Sequence, residues 1–96
     1  MHAVIRSYSG KGAKELFDVL EQNKTEIRKV IRTIKGFVSY SLVRTEDGGF
    51  SVSVYRTKAR AEESVQAARD WIKENAAGIG AKPPKVTEGT IILQLK

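Results

Sequence analysis

The sequence predicts one α+β domain whose elements follow in the order βαββαβ, the ferredoxin-like split βαβ arrangement. Three observations support this prediction: a length of 96 residues, two segments with helical spacing of apolar residues, and two alternating runs around an acidic, glycine-containing turn. In such a domain two helices cover one face of a four-stranded antiparallel sheet. A single domain over residues 1–96 leaves no helix for the other face.

The individual elements follow from local patterns along the chain. Residues 2–8 alternate and predict the first strand, and residues 13–35 repeat apolar side chains at helical spacing until Gly36. Residues 58–77 predict a second helix, which is ended by the glycines and prolines that follow it. Residues 86–95 predict the last strand, so each element of the βαββαβ order has a segment.

Between the helices, residues 35–57 read KGFVSYSLVRTEDGGFSVSVYRT and predict a β-hairpin. A two-residue loop at Gly48-Gly49 would pair Val43 with Val54 and Leu42 with Tyr55. Alternation then gives two faces, one with Phe37, Ser39, Ser41, Val43, Phe50, Val52 and Val54, the other with Val38, Tyr40, Leu42, Arg44, Ser51, Ser53 and Tyr55.

Both hairpin faces are half apolar, whereas a face open to water should be polar. We expect the face with Tyr40, Leu42 and Tyr55 to be the one that the helices leave open. On a monomer these side chains would form an exposed apolar patch, which usually marks an interface. A second copy of the chain is the simplest cover, so Tyr40, Leu42 and Tyr55 are predicted as a homodimer interface.

The composition excludes several classes of site and protein. There is no cysteine and one histidine, His2, so disulfides, thiolate metal sites, hydrolase triads and zinc clusters are not expected. No apolar run approaches the roughly 20 residues of a membrane span, and the N-terminus lacks a signal-peptide core, which predicts a cytoplasmic protein. The net charge of +6 is scattered along the chain and indicates either solubility or an anionic partner.

Several segments together resemble the antibiotic biosynthesis monooxygenase-like family of dimeric α+β barrels. They are the βαββαβ order, the junction Ile34-Lys35-Gly36-Phe37-Val38, the Asp47-Gly48-Gly49 turn and the helix AEESVQAARDWIKEN, so the resemblance covers essentially the whole chain. It implies two sheets paired face to face across a two-fold axis. It also implies oxygenation without metal or flavin, as in many members, so no cofactor is expected. The haem-degrading members use an asparagine, a tryptophan and a histidine. Of these three residues only the tryptophan has a counterpart in this chain, which is Trp71.

The two helices supply three candidate pocket residues. Trp71, the only tryptophan, lies on the flank of the second helix's apolar stripe, where it either seals the core edge or lines a pocket. The family resemblance favours the pocket, and Asn75 follows one turn later. Asn23 interrupts the apolar stripe of the first helix. It either breaks that helix, with Glu26 completing a capping box, or lines the pocket with its amide.

The sheet supplies the remaining candidates, which are Arg6, Tyr8, Tyr40, Arg44, Tyr55 and Arg56. Guanidinium and tyrosine hydroxyl groups can bind a carboxylate or phenolate, and in a dry pocket they can stabilise an enolate-like anion. Tyr40 and Tyr55 have the alternative role of interface aromatics. The predicted pocket therefore comprises Asn23, Trp71, Asn75, Tyr8 and Arg6, with no metal.

Two functions remain open at the level of sequence. The first is a homodimeric binder of a small aromatic or anionic molecule, or a cofactor-independent monooxygenase that acts on an aromatic or polyketide-like substrate. The second is an RNA-binding module, since RNA-recognition domains share the βαββαβ order and present aromatics on an open sheet face. Residues 35–40 resemble their aromatic motif but lie on the second strand instead of the third, which disfavours a nucleic-acid partner.

Overall fold

The computed structural model describes residues 1–96. Its elements are β1 (His2–Ser9), α1 (Ala13–Gln22), α2 (Lys24–Arg32), β2 (Phe37–Thr45), β3 (Gly48–Tyr55), α3 (Lys58–Asn75) and β4 (Lys85–Thr90), with a short 3-10 turn at Ala77–Ile79. The strands form one antiparallel sheet in the order β2-β3-β1-β4. The helices pack on one face of it, which confirms the predicted ferredoxin-like α+β fold.

The first predicted helix is two helices, because the chain breaks at Asn23, where φ is −120°. The predicted break is confirmed, but the capping box does not form. The Asn23 side chain donates a 2.7 Å hydrogen bond back to the carbonyl of Val19 and does not accept from α2. Glu26 is engaged elsewhere, as the acceptor of the Trp71 indole N–H. The break turns the apolar stripes of α1 and α2 onto one compact core.

The hairpin has a different register from the predicted one. Thr45 pairs with Gly48, so the loop is 46–47, and the prediction of a Gly48-Gly49 loop that pairs Val43 with Val54 is wrong. Both glycines lie in β3 because α1 packs directly on them. A Cβ on Gly48 would overlap Ala13, and one on Gly49 would overlap the ring of Phe17. The register is displaced by four residues, an even number, so the paired side chains from Ser39 onward keep their predicted faces. Phe37 does not, because a β-bulge between Phe37 and Ser39 turns it onto the covered face, where its ring packs against Tyr55.

The helices cover the face that was predicted to be open. Tyr55 is fully buried, and its hydroxyl donates a 2.8 Å hydrogen bond to the carbonyl of Ile31. That carbonyl is in the last turn of α2 and lacks a partner within the helix. Tyr40 and Leu42 pack against the same core. The prediction that Tyr40, Leu42 and Tyr55 form the open interface face is therefore wrong: large side chains on this face fill the space beneath the helices.

The open face is the opposite one, with Ile5, Val43, Phe50 and Val52. Ile5 and Val43 are 37% and 38% exposed. The chain beyond β4 adds further apolar surface, because the strand ends at Thr90 instead of residue 95 and leaves Ile92, Leu93 and Leu95 exposed. The sheet thus has an uncovered apolar face, as predicted, but different side chains form it.

Candidate functional site

An apolar cavity lies between the helices and the covered face of the sheet. Of the 13 residues that line it, 11 are hydrophobic, and the two others are Arg6 of β1 and Ser51 of β3. Aromatic side chains surround the arginine: Tyr8 of β1, Tyr40 of β2 and Trp71 of α3 all line the same space. The free volume is about 30 Å³, which is enough for about two water molecules.

Arg6 is a buried cation without a counter-ion. Its residue is 5% exposed, and one terminal nitrogen donates a 2.7 Å hydrogen bond to the hydroxyl of Tyr8. Its Nε has no hydrogen-bond partner. The four ion pairs of the chain involve His2, Arg44 and Arg60, and none includes Arg6. Burial of an unpaired charge is costly, so this guanidinium is the strongest unsatisfied polar group of the interior.

Arg44 provides a contrast on the same face of the sheet. Its guanidinium contacts two carboxylates of α1, Asp18 at 2.6 Å and Glu21 at 3.2 Å. These hydrogen bonds raise the pKa of Arg44, and the group lies at the surface. An exposed arginine is thus doubly paired while the buried Arg6 is not. Two carboxylates therefore pair with Arg44, which water could solvate, and no carboxylate pairs with Arg6, which is buried.

The tyrosine hydroxyls around Arg6 stay protonated at neutral pH. Burial raises the pKa of Tyr8 and of Tyr40 above the ordinary value, and the nearby charge of Arg6 opposes this rise in both. Burial also raises the pKa of Tyr55 to about 12. Tyr8 and Tyr40, which line the cavity, can therefore donate hydrogen bonds to a bound anion, and all three tyrosines are poor bases.

Trp71 connects α3 to α2 across the cavity. Its residue is 7% exposed, and its indole N–H donates a 2.9 Å hydrogen bond to the Glu26 carboxylate in the first turn of α2. A carboxylate is favourable near a helix N-terminus. The side chain of Asn75 donates a 2.9 Å hydrogen bond to the backbone carbonyl of Trp71. Neither Asn75 nor Asn23 lines the cavity.

The structure therefore brings together Arg6, Tyr8 and Trp71 of the five predicted pocket residues, and leaves out Asn23 and Asn75. It adds Tyr40 and Leu42, which sequence reasoning had assigned to an interface. The signal that could have found them is strand register, because alternation places Arg6, Ser51 and Leu42 on one face. The RNA-binding interpretation needed Tyr40 and Tyr55 on an open face, and it loses its basis because both are covered.

An open groove of about 320 Å³ adjoins the cavity between α2 and β2. Four residues line both spaces: Ile27, Ile31, Tyr40 and Leu42. No group of three or more histidine, aspartate or glutamate side chains is placed to hold a metal ion. His2 instead contacts Glu88 on the neighbouring strand at 2.8 Å. No helix is long and apolar enough to cross a membrane.

Comparison with known proteins gives matches in structure only. No protein-family model and no curated sequence matches the chain. A protein of unknown function from Nitrosomonas europaea, NE2512, superposes with a TM-score of 0.71 at 13% identity, over 99% of this chain and 91% of that one.

Two oxygenases have the same fold. The monooxygenase of the ActVA-Orf6 gene of Streptomyces coelicolor, solved in complex with nanaomycin D, gives a TM-score of 0.62 at 18% identity, over 99% of this chain and 89% of that one. SnoaB of Streptomyces nogalater, a cofactor-independent oxygenase, gives a TM-score of 0.66 at 15% identity, over 98% of this chain and 95% of that one. The predicted resemblance is confirmed at the level of the fold: the chain has the α+β fold of the antibiotic biosynthesis monooxygenase-like proteins.

Proposed function

We propose that the chain is a cytosolic homodimer that binds an electron-rich aromatic molecule between its helices and sheet and oxygenates it without a cofactor. The observation that carries this proposal is the buried, unpaired guanidinium of Arg6 in an otherwise apolar and aromatic cavity. A phenolate or enolate oxygen would supply the missing counter-ion. The solved neighbours add support, since one holds nanaomycin D and another is a cofactor-independent oxygenase.

The chemistry follows from the charge of Arg6 and the dryness of its surroundings. A cation at this position favours the ionised form of a bound phenol, and the hydroxyl of Tyr8, 2.7 Å from Arg6, is placed to share in binding the oxygen. The phenolate is the electron donor for dioxygen. One oxygen atom enters the ring to give a quinone and the other leaves as water, so the phenol supplies all the electrons. The apolar walls exclude bulk water from the site.

The dimer would bury the open face of the sheet. Ile5, Val43, Phe50 and Val52 lie on that face, and the C-terminal residues Ile92, Leu93 and Leu95 are separately exposed. Most soluble oligomers are symmetric, so a second copy is the expected partner. Light scattering should give about twice the monomer mass of 10.6 kDa. A constant monomer mass over a wide concentration range would contradict this part of the proposal.

Dioxygen consumption tests the activity. Naphthols and anthrones are suitable substrates, with quinone absorbance as a second readout and catalase present to reveal any peroxide by-product. We expect uptake with the wild-type chain and at least about a tenfold loss in Arg6→Gln, which removes one charge-assisted contact. Lys29→Gln, which removes an exposed charge on α2, is the matched control. Absence of uptake together with unquenched Trp71 fluorescence would overturn the proposal.

A further inference from the structure

We infer that the groove between α2 and β2 is the outer half of the ligand site, and that it selects aromatic ligands that carry an acidic substituent. This inference rests on the proposed function, because it extends the same cavity. The groove is apolar along its floor, and three cations of α2 line it: Lys24, Arg28 and Arg32. We call these three residues the basic rim.

The basic rim is a single stripe along α2. Its members are four residues apart, so they lie above one another on one side of the helix. None of the three takes part in any ion pair of the chain. The only acidic residue of α2, Glu26, is directed to the Trp71 indole and does not line the groove. No carboxylate lines the groove, so its rim is positive without compensation.

This arrangement is unfavourable for the helix by itself. Like charges four residues apart repel, and Lys24 is the first residue of α2, where the helix dipole disfavours a cation. A carboxylate, sulfonate or phosphate bound at the rim would relieve both effects. The groove thus combines uncompensated positive charge with direct access to the cavity that holds the buried Arg6.

The volumes determine how a ligand is divided between the two spaces. The cavity around Arg6, at about 30 Å³, is far below the roughly 300–1,000 Å³ of small-molecule sites, whereas the groove reaches about 320 Å³. The body of an aromatic ligand therefore lies in the groove, against Tyr40 and Leu42, which line both spaces. Its reacting oxygen points inward to Arg6, and an acidic group on the opposite end meets the basic rim.

A matched pair of fluorescent probes tests the inference. Anilinonaphthalene sulfonate and phenylnaphthylamine share one aromatic skeleton and differ in the sulfonate, and Trp71 reports binding near the cavity. We expect the sulfonate to bind the dimer at least about fivefold more tightly than the uncharged probe, as for a partly exposed ion pair. This preference should decrease with added salt. Arg28→Gln should remove most of the preference without affecting the uncharged probe.

Lys29→Gln is the control, because it removes a positive charge from the adjacent position of α2, outside the groove. Equal affinity of the two probes for the wild-type chain, or equal losses in Arg28→Gln and Lys29→Gln, would overturn the inference. If the uncharged probe still quenched Trp71 in that case, the proposed function would stand while the inference failed. If neither probe quenched Trp71, both would fail together.

Discussion

The two faces of the sheet differ in what they leave unsatisfied. The covered face carries a buried guanidinium, buried serines and all three tyrosines of the chain, so its unsatisfied group is a charge. The open face carries Ile5, Val43, Phe50 and Val52, and lacks only apolar cover. A charge buried in a cavity favours the binding of a small ligand of opposite charge, whereas an exposed apolar face favours contact with another protein surface. We therefore expect ligand binding on the covered face of the sheet and assembly on the open face.

A charge placed on the open face should have the largest effect, because it changes the state of the protein. Val43→Lys puts an ammonium group in the apolar surface, and we expect the mass measured by light scattering to fall from that of the proposed dimer to that of the monomer. Far-ultraviolet circular dichroism should be unchanged, because Val43 is 38% exposed in the single chain. A dimer that persists in this variant would place the interface elsewhere. Glu62→Lys, on an exposed position of α3, is the control.

Two glycine substitutions compare the faces directly. Gly49→Ala puts a methyl group into the ring of Phe17 on the covered face, and we expect it to lower the free energy of unfolding by about 3 kcal/mol. Gly89→Ala lies on β4 with nothing within 4 Å of the new Cβ, and we expect a change below about 1 kcal/mol. Urea denaturation measures both. Similar values for the two variants would contradict the close packing of α1 on β3.

Removal of one buried hydroxyl should have a smaller effect. Tyr55→Phe deletes the hydrogen bond to the Ile31 carbonyl and leaves that buried acceptor without a partner. We expect a loss of about 1–3 kcal/mol in the free energy of unfolding, measured in urea. An unchanged free energy of unfolding in Tyr55→Phe would mean that the C-terminal carbonyls of α2 have other hydrogen-bond partners.

The pH dependence is absent at neutral pH and involves all three tyrosines. Burial raises each of their pKa values in the folded state, that of Tyr55 to about 12, above the unfolded value near 10. The folded state therefore retains protons that the unfolded state loses. Stability should be constant up to about pH 9 and should fall as the pH rises from about 10 to 12. Tyrosinate absorbance that develops at pH 10 in the folded protein would contradict the burial of these side chains.

The fold could be predicted from the sequence because apolar residues recur in each element at the spacing of a helix or a strand, and because glycines or prolines mark where the helices end. It could not decide which hairpin face the helices cover, since serines alternate with apolar residues on both: Ser39 and Ser41 on one, Ser51 and Ser53 on the other. Glycines at 48 and 49 suggested a loop, although they serve helix packing. Only tertiary contacts reveal such a use.

The candidate site was partly predictable for the same reasons. Arg6, Tyr8 and Trp71 could be selected because their residue types are unusual at their positions, and the structure brings them together. The pairing of Glu26 with Trp71 joins residues 45 positions apart, so no local pattern could indicate it. The missing counter-ion of Arg6 is likewise a property of the folded interior, since carboxylates are frequent along the sequence.

The ionisation of a bound phenol tests the central claim most directly. Nitrophenol changes its absorbance when it ionises, so its pKa can be measured in the presence of excess protein, with Trp71 quenching as proof of binding. Unpaired Arg6 should lower the pKa of the bound phenol by about one unit or more, and Arg6→Gln should abolish this decrease. An apolar cavity without an available cation would raise the pKa instead. A raised or unchanged value in the wild-type protein would contradict the role of Arg6 in binding an anion.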